Sequence, residues 1–242
     1  MTYWKAVKLI TGHLWRREWL GMSGTIAITL YMGGFLSLSV DDLFSEEGTA
    51  PVFYGLMDWI FLLLMPCLGI VMNRTIFTMW REDTYSKRLA VFRAYPIPAS
   101  AIVGARFAQF LALASINTAI VMTMAFTLSP DLRNAVSGAR WFEFAVLWAC
   151  YSVIVNAVLA LLELGASGKR YVQLWIAWYA FVTVAVVAMT LAGVHPFMEA
   201  LRWTGSDASS AIVAVAVVCA ALAVRIGYRA TVRRVASRSI SF

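Results

Sequence analysis

Apolar residues in this chain fall into long runs that are separated by short polar segments, and this pattern predicts membrane-spanning helices. Each run reaches the length of about 20 residues that a helix needs to cross the hydrocarbon core of a bilayer. Strands of a membrane barrel would need only about 10 residues and would alternate polar with apolar side chains. The six predicted spans are residues 19–40, 52–72, 107–128, 141–164, 171–193 and 208–228.

Composition supports the same fold class. Of the 242 residues, 61% are hydrophobic and 14% are charged, whereas soluble domains carry about 25% charged residues. Six spans and their connections use nearly the whole length, so we expect one all-α polytopic membrane domain over residues 1–242. Little of the chain is left outside the membrane for a catalytic domain.

The distribution of positive charge predicts the orientation. The net charge is +7. Seventeen of the 20 Lys and Arg residues lie on one side of the predicted spans, on the two terminal segments and the loops after spans two and four. Only Arg133, Arg140 and Arg202 lie on the opposite side. Because positive loops stay in the cytoplasm, we expect both termini on the cytoplasmic side of the membrane. The charge thus serves topology and contacts with membrane lipids, and no nucleic-acid partner is expected.

Two short segments outside the spans carry a helical pattern. In residues 1–18 we expect an amphipathic helix on the inner membrane surface, although a simple basic flank would also explain the charges. Residues 194–207 are expected to form either a short outer helix after Pro196 or a plain loop. The apolar positions of the first segment are Tyr3, Val7, Ile10 and Leu14.

Residues 73–106 form the largest predicted cytoplasmic segment between spans and hold the most functional information. Asp83 or Thr84 can cap a helix there, and Pro96 ends it because the residue before a proline avoids helical geometry. A capped helix across the membrane base is an element that can dock into a partner's groove. The alternative is a solvated basic loop that only enforces topology.

The end of this segment carries a family resemblance. The run Tyr95-Pro96-Ile97-Pro98, followed by Ala105-Arg106, resembles the element that precedes the third span in permease subunits of bacterial ABC-type exporters of the six-helix type 2 class. The resemblance covers the whole chain in architecture and residues 80–106 in motif. It implies a cytoplasmic coupling helix between spans two and three that sits in a cleft of a separate ATPase subunit.

The same resemblance implies partners and residue roles. Two permeases, identical or related, would enclose the pathway, with a re-entrant element between spans five and six in each. ATP and Mg²⁺ would bind the partner ATPase, and no cofactor is expected on this chain. That the cargo moves outward is implied by the resemblance alone. The apolar spans suggest a lipophilic or amphipathic cargo such as a peptide, lipid or drug. The expected coupling residues are Glu82, Tyr85, Arg88, Leu89 and Phe92.

Enzymatic chemistry is not expected of the chain itself. The run from Gly165 to Arg170 lacks the spacing and the final Ser/Thr of a phosphate-binding loop, so ATP hydrolysis belongs on a partner. Ser23 and His195 are predicted at opposite ends of their spans, about 30 Å apart, which excludes a serine protease pair. Three scattered cysteines and two histidines have no metal-site spacing.

Three acids within spans need partners, since charges in lipid are costly. Asp58 is the candidate pathway residue, and a polar contact between helices is the alternative. For Glu163 we expect an ion pair with Lys169 or Arg170, and for Glu143 a pair with Arg140.

Two other functions stay open. One is a secondary transporter that is driven by an ion gradient and depends on protonation of Asp58 or Glu163. The other is a membrane scaffold that docks through the same inner helix without moving a substrate.

Overall fold

A computed structural model of the protein describes residues 2–45, 51–72, 80–81, 83–95 and 97–238. Within these ranges the backbone is helical apart from short connections, and it includes no strand. In chain order the helices are α1 (Tyr3–Phe44), α2 (Pro51–Cys67), α3 (Thr84–Ala94), α4 (Ala99–Leu128), α5 (Pro130–Ala135), α6 (Gly138–Gly165), α7 (Gly168–Leu191), α8 (Pro196–Trp203) and α9 (Ser209–Ser237).

Five of these helices are long and apolar enough to cross a membrane. They are α1, α4, α6, α7 and α9, with mean hydropathies between 1.4 and 2.3. Helix α2 is apolar but has only 17 residues, so the predicted second span is helical only as far as Cys67. By length and composition the helices indicate an all-α, multi-pass membrane protein.

The N-terminal segment differs from the prediction of a separate surface helix. Residues 3–18 continue without a break into the first span, as one helix of 42 residues. The sequence between them, Arg16-Arg17-Glu18-Trp19-Leu20, holds no helix breaker. The apolar stripe with Val7, Ile10 and Leu14 is buried in one cluster with Ile102 and Ala105 of α4. The stripe therefore packs against the protein, not on lipid.

Four of the long helices form a row. Helix α1 lies along α4, α4 packs on α6, and α6 packs on α9, while α2 lies between α6 and α7. We call inner the side that holds residues 3–18, α3 and the end of α9, and outer the opposite side. An aromatic core fills the outer half, with Phe61, Phe144, Trp148 and Phe197. An aliphatic core that includes Leu89 fills the inner half.

Two short helices close the outer side. Helix α8 confirms the short helix expected within residues 194–207, and it buries Phe197 and Leu201 in the aromatic core. Helix α5 was not predicted, because its six residues carry too little periodicity. It is tied to α1, where the Asp131 amide donates to Asp41 over 2.8 Å.

Helices α6 and α9 approach closely at Gly227. A β-carbon there would lie 3.2 Å from the Ala157 β-carbon and 3.3 Å from its carbonyl oxygen. Small residues permit this approach between membrane helices. We expect Gly227→Leu to lower the free energy of unfolding by about 1–3 kcal/mol through overpacking, measured by denaturation with sodium dodecyl sulfate in mixed micelles. Gly24→Leu is the control, since nothing lies within 4 Å of a β-carbon there. Equal losses in both variants would contradict the close α6–α9 contact.

Candidate functional site

Helix α3 begins with a cap that the sequence predicted. The Asp83 Oδ1 accepts from the Ser86 amide at 3.4 Å, and Asp83 Oδ2 accepts from the Ser86 hydroxyl at 2.7 Å. Asp83 has a left-handed backbone, with φ of 42°, which Asp tolerates better than most residues. The helix ends at Ala94, with Tyr95 as its C-cap. The segment between the second and third predicted spans thus contains a capped helix.

The two faces of α3 differ from the sequence-based expectation. Leu89 is 2% exposed and belongs to the inner core with Ile10 and Ile102, and Phe92 packs half-buried beside that core. Leu89 therefore holds α3 against its own chain, and its role in coupling to an ATPase stays a prediction. Among the described side chains of this region, Lys87, Val91 and Tyr95 are exposed. Glu82 and the side chains of Tyr85 and Arg88 lie outside the described part of the chain.

A groove of about 980 Å³ runs between the inner part of α1 and α3. Four cations and several apolar side chains line it, and the described lining includes no acid. A surface that exposes large apolar side chains next to several charges of one sign is typical of an interaction site. The lining includes Lys8, Leu9, Gly12, His13, Arg16, Arg17, Lys87, Val91 and Phe92.

A buried polar network joins three helices next to the inner core. The Arg106 guanidinium donates to Glu163 Oε2 over 2.7 Å and to Gln109 Oε1 over 2.8 Å. The Gln109 amide then donates to Glu18 over 2.8 Å. Glu163 therefore pairs with α4, not with Lys169 or Arg170 as expected, because the side chain is buried and faces α4.

The expected pair of Glu143 and Arg140 is also replaced. The Arg140 guanidinium donates twice to the Leu201 carbonyl, over 2.8 and 3.2 Å. It thereby binds the C-terminal end of α8, where free carbonyls attract a cation.

Helix α2 ends inside the protein, and side chains bind its last carbonyls. Pro66 has no amide hydrogen, so the Leu62 carbonyl loses its helical donor, and the Tyr151 hydroxyl donates to it over 2.8 Å. Ser152 donates to the Met65 carbonyl over 2.7 Å, and Asn156 donates to the Pro66 carbonyl over 2.9 Å. These three donors all come from α6.

Two other helices bind the turn that follows. The Asn117 amide of α4 donates to the Leu68 carbonyl over 2.7 Å. The Thr25 hydroxyl of α1 lies 3.2 Å from the Ile70 carbonyl and accepts from the Met72 amide at 3.0 Å. Unwound backbone at membrane depth requires such partners, and it often lies at the binding sites of transporters.

An apolar cavity of about 480 Å³ lies beside this turn, between α1, α2 and α7. Its size falls within the range of about 300–1,000 Å³ that is typical of small-molecule sites. The described lining includes no charged side chain, and its polar side-chain atoms are hydroxyls, one thiol and the indole nitrogen of Trp175. Cys67 Sγ lies 3.0 Å from the Tyr179 hydroxyl. The lining includes Thr25, Ile28, Cys67, Met72, Tyr171, Trp175, Ile176 and Tyr179.

Asp58 does not line this cavity. Its side chain is buried under the outer helix α8, where Oδ1 accepts from the Phe197 amide at 2.7 Å. Its Oδ2 lies 3.1 Å from His195 Nδ1. A carboxylate at a helix N-terminus is stabilising, so the geometry supports the alternative of a polar contact between helices. Asp58 thus positions α8.

Metal chemistry has no support in the described residues, where no three His, Cys, Asp or Glu side chains lie close enough to hold an ion. Comparison of the chain with protein-family models, with curated proteins and with solved structures found no match. The function is therefore argued from the geometry above.

Sequence reasoning missed the residues that bind the end of α2. A signal was present, because Asn117 and Asn156 are amides inside predicted apolar spans, and such residues need partners in lipid. Their partners are backbone carbonyls or residues distant in sequence, so the pattern alone did not reveal the pairing.

The Arg106–Glu163 pair generates a prediction about stability. Arg106→Met leaves the buried Glu163 carboxylate without this partner, and we expect a loss of about 3–5 kcal/mol, measured by the same denaturation in mixed micelles. The double variant Arg106→Met with Glu163→Met should recover most of that loss. The control is Arg202→Met, which removes an exposed pair with Glu199 that is worth about 0–1 kcal/mol. A double variant no more stable than Arg106→Met would contradict the coupling of this pair.

Proposed function

We propose that this chain is the permease subunit of an ATP-driven ABC exporter, with six spans and both termini in the cytoplasm. In this proposal α2 and the turn after it serve as the second span, and ATP with Mg²⁺ binds a separate ATPase. The observation that carries the proposal is α3, a capped helix outside the spans. It is anchored to the inner core by Leu89 and presents Lys87, Val91 and Tyr95 outward.

The reach of α1 favours a soluble partner for the groove. Residues 3–18 extend α1 by about 24 Å beyond the predicted span, at 1.5 Å per residue. Headgroup layers are only about 5–8 Å thick on each side. Most of the groove then projects past the lipid, where the cations at Lys8 and Lys87 suit an acidic surface of the ATPase. Complementary charge also speeds the encounter of the two proteins.

The apolar cavity is the proposed binding site for cargo. Its described lining has no charge, which suits a lipophilic or amphipathic molecule more than a free ion. It lies under α7, of whose 24 residues only Gly168, Tyr171, Val182 and Val186 are buried. A second permease packed against this exposed helix would enclose the pathway between two chains.

One observation favours a second candidate function. The unwound end of α2 and the buried Glu163 resemble the broken helices and internal charges of secondary transporters. Such a transporter would work without an ATPase, and a scaffold would also need none. Dependence of transport on ATP therefore separates the permease from both alternatives.

Purification of the tagged chain from its native membrane in mild detergent tests the proposal. We expect a soluble ATPase in the eluate, with hydrolysis that follows the amount of chain recovered. Reversing both walls of the groove, with Lys8→Glu and Lys87→Glu, should lower the recovered ATPase activity at least tenfold. The measurement is phosphate release per mole of purified chain.

The matched control reverses two other exposed cations on the inner side, Arg229→Glu with Arg233→Glu. This control should keep at least half of the ATPase. Equal losses with both pairs would show a general charge effect and remove the groove as the docking surface. A wild-type chain that elutes without any ATPase would overturn the permease proposal in favour of the secondary transporter or the scaffold.

A further inference from the structure

One carboxylate connects the start of α3 to the start of α7. Asp83 Oδ1, which caps its own helix at the Ser86 amide, also accepts from the Gly168 amide at 2.9 Å. Gly168 is the first residue of α7, so its amide has no acceptor within that helix. A cap for α3 alone would need only the contacts to Ser86. The contact to Gly168 adds a direct link between a helix outside the spans and a spanning helix.

A second arm connects α3 to the end of α9. The Ser86 hydroxyl donates to Asp83 and also accepts from the Arg238 guanidinium. Arg238 donates in addition to the Leu164 carbonyl at the end of α6, over 3.1 Å. We call Asp83, Ser86, Gly168 and Arg238 the inner junction. It brings the ends of four helices together through charge-assisted hydrogen bonds, the stronger class of such bonds.

The backbone of Asp83 indicates that this position is set by its surroundings. A residue other than glycine in the left-handed region is unfavourable, and it persists where neighbouring contacts determine the conformation. The contacts here come from Ser86 on the same helix and from Gly168 on another. The geometry of the link is thus built into the turn that precedes α3.

Helix α7 is the spanning helix on which such a link has most effect. Two side-chain contacts hold α7 to α2: Trp59 Nε1 donates to the Thr183 hydroxyl over 2.9 Å, and the Tyr179 hydroxyl lies 3.0 Å from Cys67 Sγ. It also supplies Tyr171, Trp175 and Tyr179 to the wall of the apolar cavity. A shift at its inner end would change the width of that cavity.

We infer that Asp83 is the positioning residue that passes a displacement of α3 to the inner end of α7, and so controls access to the apolar cavity. Arg238 and Ser86 hold α3 to α6 and α9, which makes α7 the helix that responds. The displacing partner rests on the proposed function, whereas the link between Asp83 and the cavity can be tested on the isolated chain.

Gly168→Pro removes the amide hydrogen that Gly168 donates to Asp83, and we expect it to change helix α7 little. Proline is favoured at the first position of a helix, where its missing amide hydrogen costs nothing. The preceding Ser167 has φ of −71° and ψ of 156°, the extended geometry that a following proline prefers. Gly138→Pro is the matched control, because Gly138 also follows an extended serine and begins α6 on the outer side.

Asp83→Ser and Asp83→Asn separate the link from the cap. Serine caps its own helix as well as aspartate does, but its side chain is one bond shorter and has a single oxygen, so it cannot also reach Gly168. Asparagine keeps an oxygen at the Oδ1 position and can accept from both amides. The link predicts that Asp83→Ser loses more control of α7 than Asp83→Asn. Since asparagine also tolerates the left-handed backbone of position 83 better than serine does, Gly168→Pro, which leaves position 83 unchanged, must show the same loss.

The readout is the reaction rate of Cys67 with N-ethylmaleimide, in a chain that carries Cys150→Ala and Cys219→Ala. Cys67 lines the cavity, so its rate reports access. We expect Asp83→Ser and Gly168→Pro to raise the rate roughly tenfold, the factor for about 1.4 kcal/mol of a lost charge-assisted bond. Asp83→Asn keeps an acceptor for the Gly168 amide without the charge, so its rate should fall between those of the wild type and Asp83→Ser. Gly138→Pro should stay within about twofold of the wild-type rate. Gel filtration confirms folding, and Asp83→Ser carries the test if a proline variant aggregates.

An unchanged Cys67 rate in Asp83→Ser would overturn the inference, and so would an equal rise in Asp83→Asn. In the complex with an ATPase, Asp83→Ser should keep the partner bound while ATP no longer changes the Cys67 rate. If no ATPase is recovered, the proposed function fails, but the four rates in the isolated chain still decide whether Asp83 controls the cavity.

Discussion

Backbone groups in an apolar interior must find hydrogen-bond partners, and at the end of α2 this requirement arranges much of the molecule. Pro66 removes one donor from the helical ladder just before the helix ends at Cys67, among apolar side chains where a free carbonyl would be costly. The donors Tyr151, Ser152 and Asn156 bind those carbonyls and fix α6 against α2. Because α2 stops there, space remains between α1, α2 and α7 for the apolar cavity. The end of α2 therefore relates the packing of α6 to the presence of the apolar cavity.

A second set of polar contacts divides the inner half into a firmly held part and a sparsely held part. The buried bonds from Glu18 through Gln109 and Arg106 to Glu163 join α1, α4 and α6. These bonds are buried or partly buried. Hydrogen bonds to charged groups are stronger where water is excluded. At the inner end of α7, the Gly168 amide donates to Asp83 at the start of α3. The structure thus combines a braced row of helices with one helix that is attached mainly along α2.

The sequence was sufficient for the fold class and for most span positions, because apolar length and charge asymmetry are strong local signals. It also narrowed the cap of α3 to Asp83 or Thr84, and it left a short helix and a plain loop open for residues 194–207, where the structure has α8. It failed where partners lie far apart along the chain. Glu163 had nearby cations at Lys169 and Arg170, yet it pairs with Arg106, 57 positions away. Asp58 suggested a pathway by its depth, yet it is taken up by the start of α8.

Leu89 illustrates a more general limit. An apolar residue on a helix outside the spans is naturally assigned to a partner, but this side chain is buried in its own chain. A helix that transmits a displacement must be attached more firmly to the spans that it moves than to the protein that displaces it. Apolar burial supplies firm attachment, whereas exposed charges give reversible, oriented contact. In the proposed docking role, α3 meets this requirement, because Leu89 is buried and Lys87 is exposed.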